Sequence, residues 1–218
     1  MALTVEVWSD VVCPWCYVGK RRFEQALSEF EHRDGVEVVW RSFELDPRAP
    51  SERTGSYVER LASKYGVSID EAQAMIDTMV ETGERVGIEF RFDRLRAGNT
   101  FDAHRLLHWA KSFGLDVQGE VGERLFRATF VEGRPVGDVE SLVSAAVAAG
   151  LDGAEARAVL SAPSAYAAEV RADEQEAAAL GARGVPFFVF GRRLGVSGAQ
   201  PTQVFLEVLE RAWGEAAA

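Results

Sequence analysis

The chain opens with alternation. In "LTVEVWS", apolar Leu3, Val5 and Val7 are separated by Thr4 and Glu6, the period-two pattern of a strand. The period then changes. Cys16, Gly19, Phe23, Ala26, Leu27 and Phe30 recur at three- and four-residue steps, which puts them on one face of a helix. Gly35 is the expected stop, because glycine tolerates the left-handed conformation that closes helices. "VEVVWRSFEL" returns to strand character. The first 45 residues therefore read β–α–β.

From "DPRAPSERTG" onward the patterns are helical only. "SIDE" at Ser68–Glu71 is a capping box, in which each end satisfies an otherwise orphan N–H; it opens a helix to about Val86. "NTFDAHRLLHWAKSFG" is a helix ended by Gly114. Further helical patterns start near Gly119, Asp138, Asp152 and Ser164, the last ending near Gly181. The Ala-rich stretches keep helical spacing and charges, so they read as packed helices. Strand character resumes in "GVPFFVFGRRLGVSG": Phe187–Phe190, a tight turn at Gly191-Arg192, then Leu194–Val196. A closing helix follows, with Pro201 near its first turn, where a missing N–H costs nothing. The order is β–α–β, a helical block, then β–β–α. This predicts an α/β unit from residues 1–50 and 182–218, with an all-helical insertion at 51–181.

Composition narrows the function. The 218 residues are 47% hydrophobic and 27% charged, an ordinary globular balance in a chain long enough to bury a core. The net charge of -10 argues against nucleic acid and anionic membranes, which need a positive surface. No apolar run approaches a membrane span. "MALTVEVWSD" lacks the basic and apolar regions of a signal peptide, so the expected location is the cytoplasm; a chain beginning after a removed leader would look the same.

The chemistry sits in "SDVVCPWCYVGKRRF". Cys13 and Cys16 are the only two cysteines, three apart, at the first strand-to-helix junction. In a reducing cytosol such a pair is more often catalytic or metal-binding than a structural disulfide. At a helix N-terminus, free N–H groups and the dipole favour an anion, which makes the first cysteine a nucleophilic thiolate. The second lies about one turn on and can expel a mixed-disulfide partner. Structural zinc needs four ligands, and His32, His104 and His108 show no ligand spacing to the pair. Two inert buried thiols are the remaining alternative, and the junction position speaks against them.

Cys13-Pro14-Trp15-Cys16 after a first strand resembles the thioredoxin superfamily, and the large helical insertion resembles its DsbA-like branch. "WSDVVCPWCYVGKRRFEQAL", "NTFDAHRLLHWA" and "GVPFFVF" together look like the FrnE-type members, related to 2-hydroxychromene-2-carboxylate isomerases and kappa-class glutathione transferases. The similarity spans essentially the whole chain. It implies a thioredoxin-like fold and a thiol–disulfide oxidoreductase, with Cys13 as nucleophile and Cys16 resolving. It implies that Pro186, after Val185, is cis and faces the cysteines, leaving neighbouring backbone free to pair with substrate. Pro14 and Trp15 would touch substrate beside the sulfur, Trp15 as a flat apolar contact. A histidine between the cysteines, as in typical DsbA, would help the thiolate; Trp15 carries no such charge, and Asp10 opposes ionisation. Asn99, His104 and Arg105 lie in a motif shared with the glutathione-using relatives and are candidates to line the cleft. Against that reading, Asn99 suits a helix cap and His104 a structural hydrogen bond. Lys20 reads as a solvated surface lysine.

Those isomerase and transferase relatives commonly carry serine at the Cys13 position; both cysteines are intact here, which favours redox chemistry. A glutathione-dependent isomerase or transferase of aromatic or polyketide-like molecules is the alternative. A redox-regulated binding protein is a third. Some FrnE-type proteins carry a second cysteine pair, absent here. No metal or nucleotide cofactor is expected; glutathione enters only as a co-substrate. The expected partners are protein thiols or disulfides, or small thiols. The helical block is expected to roof Cys13 and select substrate, with Trp15, Phe101 and Trp109 as candidate groove residues.

Overall fold

A computed structural model describes residues 2–217. Its sheet is built from the two ends of the chain: β1 (Leu3–Ser9), β2 (Val36–Ser42), β3 (Phe187–Phe190) and β4 (Leu194–Ser197), in the order β2-β1-β3-β4. β1 and β2 are parallel, Leu3 opposite Val36 and Ser9 opposite Ser42. Their crossover is α1 (Pro14–Glu29), as parallel pairing requires. β3 runs antiparallel to β1, Val7 opposite Phe188, and β4 antiparallel to β3, Phe188 opposite Val196. The closing helix is α9 (Thr202–Ala217). This is the thioredoxin-like α/β architecture expected from the sequence.

Period two decides which residues meet across the sheet. Leu3, Val5 and Val7 join Phe188 and Phe190 on one face, under Phe23 of α1 and Phe205 and Leu209 of α9. Phe23 meets Phe188 at 5.4 Å and Phe205 at 5.8 Å between ring centroids. Trp8 and Val189 lie on the opposite face, packed on Ala177 of α8 (Ala167–Ala179). Here the Trp8 indole N–H donates to the Asp173 carbonyl at 2.8 Å. The Asp173 carboxylate accepts from the Ser42 backbone N–H and the Arg41 guanidinium, each at 2.9 Å. Thus α8, on the insertion side of the predicted 181/182 boundary, is the second layer of the sheet.

The rest of the helical block is α2 (Tyr57–Tyr65), α3 (Ile69–Glu84), α4 (Phe101–Lys111), α5 (Leu115–Arg127), α6 (Val139–Ala148) and α7 (Gly153–Ser161). The sequence reading missed α2, although Ser56-x-x-Glu59 forms the same reciprocal capping box as Ser68-x-x-Glu71. Gly35 is not the stop of α1: that helix ends at Glu29, Phe30 is already extended, and Gly35 belongs to a short 3-10 turn leading into β2. α5 starts at Leu115 rather than Gly119, directly after Gly114. A π-helical turn, Ala128–Glu132, prolongs it.

Two local devices join block to sheet. At the β2 edge, the Gln118 amide of α5 accepts from Trp40 N–H at 3.1 Å and donates to Trp40 C=O at 2.9 Å, imitating a paired strand. In the connector before α2, Ser51 passes between two glycines. A Cβ on Gly98 would fall 2.0 Å from the Ser51 carbonyl oxygen, and one on Gly137 2.3 Å from it. Asn99 N–H to Pro50 C=O and Arg53 N–H to Ala97 C=O, both 2.8 Å, complete the clasp.

Candidate active site

Helix α1 begins where its sequence first permits. Cys13 is the N-cap, with extended backbone at φ -95 and ψ 110, and Pro14 takes the first helical position. The Cys13 carbonyl accepts from Cys16 N–H at 3.0 Å and Tyr17 N–H at 3.4 Å, so Cys16 is folded back one turn behind Cys13. Both are free thiols. Their surroundings differ. Cys13 is 5% exposed and opens onto a cleft of about 1040 Å³; Cys16 is 1% exposed and is not among the described lining residues. Burial pushes the Cys16 thiol well above its ordinary range, helped by the hydrogen bond and charge of Cys13. The Ser9 side chain and Asp10 backbone pull the other way and are outweighed. Cys16 therefore remains a thiol at neutral pH.

The Cys13 sulfur lies 3.6 Å from the Val185 carbonyl oxygen, to which its S–H donates. The Val185–Pro186 bond is cis. Pro186 is held against α1 at Gly19, where a Cβ would meet the Pro186 ring carbon at 2.9 Å.

The cleft lies between the α/β unit and the helical block. Cys13, Pro14, Trp15, Gly184 and Val185 form one side; Tyr57 and Leu61 of α2, Ile76 and Met79 of α3, and Phe92 and Leu95 form the other. Trp15 stands on the rim, 44% exposed. Arg53 and Arg60 line it too, Arg53 ion-paired with Asp46 and Arg60 donating to the Gly55 carbonyl at 2.5 Å.

Several sequence-predicted residues lie elsewhere. Asn99 is not among the described cleft-lining residues, although its neighbours Gly98 and Thr100 are; its side chain accepts from Phe101 N–H at 3.0 Å and donates to the Pro47 carbonyl at 3.3 Å. It starts a helix and ties down a loop. His104 is buried behind the cysteine loop, Nε2 3.6 Å from an Asp10 carboxylate oxygen. Arg105 is buried as well, donating to the carbonyls of Val159, Leu160, Ala162 and Ala165 where α7 ends. Trp109 is core of the helical block, edge-on to Phe113, and the Phe101 ring carries the Arg171 guanidinium at 4.3 Å. α4 is buried on every side from Ala103 to Ala110, packed among α5, α6, α7 and α8, which takes His104, Arg105 and Trp109 away from the cleft; Asn99 precedes the helix.

Lys20 is not a solvated lysine. It is 4% exposed and paired with Glu24 at 2.5 Å and Glu123 at 2.7 Å. Glu123 also accepts from the Tyr17 hydroxyl at 2.7 Å and pairs with Arg21. Burial would raise the Glu123 carboxyl, but Lys20, the Tyr17 hydrogen bond and Arg21 together hold it below its ordinary range. Tyr17 stacks on Phe126 at 5.0 Å. This cluster anchors the first turns of α1, and so the cysteines, to α5. Nothing in local sequence pairs Lys20 with a residue 103 positions away. The cleft residues of α2, Tyr57 foremost, were missed with that helix; the Ser56-x-x-Glu59 box was the available signal.

A thioredoxin-like sheet with a thiol pair at its first helix and a cis-proline loop beside it defines the class. Residues 4–210 match the DSBA-like thioredoxin domain family, and the chain belongs to it. The fold matches that of a probable DsbA oxidoreductase from Streptomyces coelicolor with TM-score 0.92 and 52% identity, covering 98% of this chain and 91% of that one. The uncharacterized protein YwbO of Bacillus subtilis is 33% identical over 162 residues, 73% of this chain and 72% of its own. The cytosolic disulfide reductase DsbM of Pseudomonas aeruginosa, crystallised with glutathione, shares the fold at TM-score 0.66 and 20% identity, over 95% of this chain and 99% of that one. Among the described residues no helix is long and apolar enough to cross a membrane.

Proposed function

We propose that the protein is a FrnE-type thiol–disulfide oxidoreductase in which Cys13 is the nucleophile and Cys16 resolves. The observation that supports this best is the asymmetry of the pair: Cys13 opens onto the cleft at a helix N-terminus, while Cys16 is sealed one turn behind it and held protonated by burial. A disulfide entering the cleft meets Cys13 first. Cys13 gives up its proton to solvent and its sulfur bonds to the nearer substrate sulfur; the substrate S–S bond breaks, its electron pair leaves on the distal sulfur, and that thiolate takes a proton from solvent. Cys16 then gives up its proton, attacks the Cys13 sulfur and releases the second substrate thiol. The protein pair ends oxidised and the substrate reduced; the reverse sequence oxidises a dithiol.

Val185 and Pro186 are assigned to hold substrate backbone beside the sulfur, and Pro14 and Trp15 to contact its side chains. The substrates are protein disulfides or thiols, or a small thiol such as glutathione acting as co-substrate, with no resident cofactor, in the cytoplasm. The glutathione-dependent isomerase reading has no contact in the site to favour it over redox chemistry.

The test is to label the reduced protein with limiting iodoacetamide at neutral pH and map the adduct. Cys13 is expected to carry it; preferential modification of Cys16 would reverse the assignment. Cys16→Ala should accumulate mixed disulfides and Cys13→Ala should not.

A further inference from the structure

Tyr57 lines the same cleft as the reacting sulfur, and nothing described so far uses it. It is the first residue of α2, held by the Ser56–Glu59 capping box. Its ring stacks on Phe92 at 5.0 Å with 10° between planes, and Phe92 in turn stacks on Phe90 at 5.0 Å. The Arg60 guanidinium lies over the ring at 5.8 Å. The phenol is thus fixed in direction. Its hydroxyl makes no hydrogen bond among the described residues, in contrast to Tyr17, whose hydroxyl is engaged by Glu123 and Arg21. Burial first, then the charge of Cys13 and of Tyr65, push Tyr57 up to about 12 against the opposing pull of Arg60. It keeps its proton at neutral pH, and its hydroxyl is not bonded to the Cys13 sulfur among the described residues.

A fixed phenol with a free hydroxyl in the cleft of Cys13 suits one position in the reaction. In thiol–disulfide exchange the attacking, central and leaving sulfurs lie in line, so the leaving sulfur sits about 4 Å or more beyond the nucleophile, two S–S bond lengths away. Negative charge grows there as the bond breaks. On the near side the Val185 carbonyl accepts rather than donates, and Cys16 is behind Cys13. Arg53 is engaged by Asp46 and Arg60 by the Gly55 carbonyl, whereas the Tyr57 hydroxyl is free to donate to the leaving sulfur.

We propose that the Tyr57 hydroxyl donates a hydrogen bond to the leaving sulfur of the disulfide attacked by Cys13. This rests on the oxidoreductase reading above. Tyr57 retains its O–H bond throughout; the departing thiolate takes its proton from water after release. A fixed donor beside developing charge acts as an oxyanion hole does for oxygen.

A donor to the leaving group helps most when that group is a poor one. In a Cys16→Ala background, which stops the reaction at the mixed disulfide, the rate of Cys13 modification is compared for Tyr57 and Tyr57→Phe. Two disulfides are used: bis(2-hydroxyethyl) disulfide, with a basic alkyl leaving thiolate, and dithiobis(nitrobenzoate), with a weakly basic aryl one. The phenylalanine keeps the stack on Phe92. Tyr57→Phe is expected to slow the alkyl reaction about tenfold and the aryl reaction markedly less. Equal slowing of both, or no slowing of the alkyl reaction, overturns the proposal and leaves the oxidoreductase reading standing. Failure of the Tyr57 protein to react with either disulfide at Cys13 overturns both.

Discussion

Pro186 packs on α1 at the one contact where a side chain would stop it. Gly19→Ala adds a Cβ 2.9 Å from the Pro186 ring, so the Val185–Pro186 loop must withdraw from Cys13. Overpacking costs about 1–3 kcal/mol, and replacing glycine inside a helix recovers about 1 kcal/mol. The expected outcome is a small change in urea midpoint with a fall in disulfide-exchange rate of between about tenfold and a hundredfold, the usual effect of misplacing a reacting geometry by an ångström. An unchanged exchange rate would mean that the loop's position does not matter. At this scale the sequence was legible wherever chemistry depends on near neighbours: Cys13 and Cys16 are a local pattern, while the cis Val185–Pro186 bond was expected only through the family resemblance. It was not legible for Lys20 and Arg105, whose charges meet groups far along the chain, or for His104, which is buried beside Asp10. Local pattern marks such a side chain as polar and leaves open whether it points to water or to a buried partner.

Among the elements, α8 carries the heaviest polar load. Asp173 joins it to β2 through Ser42 and Arg41, and its carboxylate lies 3.0 Å from His108 Nε2 of α4. Burial would raise the Asp173 carboxyl, yet the nearby His108, the Ser42 backbone hydrogen bond and Arg41 hold it below its ordinary range. A carboxyl lowered by folding stabilises the fold fully above the unfolded value, about 3.9, and loses that contribution as pH falls through the lower folded value. Asp173→Asn should therefore cost about 3 kcal/mol or more at pH 7, because Arg41 loses a buried partner. It should also flatten the loss of stability on acidification below about pH 4, read from urea midpoints across that range. An unaltered midpoint at pH 7 would show that the α8 junction is held by packing alone. The other elements show what periodicity can and cannot do. Strands with strict alternation and helices longer than three turns stood out. α2 did not, although α7, equally nine residues long, did; the capping box Ser56-x-x-Glu59 was its mark. The π-helical turn at Ala128–Glu132 left no mark, since its extra residue per turn answers to the packing of Phe126 and Phe130 on Tyr17.

For the whole molecule, the position of the cleft's far wall is set by the clasp of Ser51 between Gly98 and Gly137. A Cβ on Gly137 would collide with backbone at 2.3 Å, and backbone cannot swing aside as a side chain can. Gly137→Ala is expected to release the connector before α2. Hydrogen exchange of α2 and α3 amides should then accelerate while β1 and β3 amides keep their protection, because local opening follows local contact. Uniform acceleration across the chain would mean that the clasp supports global stability rather than the wall. The order of elements predicted the sheet and the intervening helical block; the clasp could not be read, since two glycines and a serine dozens of residues apart carry no periodic signal. The opposite margin of the molecule is settled by Gln118. An open strand border is an invitation to any passing polypeptide, and strangers that accept it seed aggregates. At Trp40 the side-chain amide has already taken both the N–H and the carbonyl that a newcomer would need. At this border the protein declines to recruit foreign chains as strands.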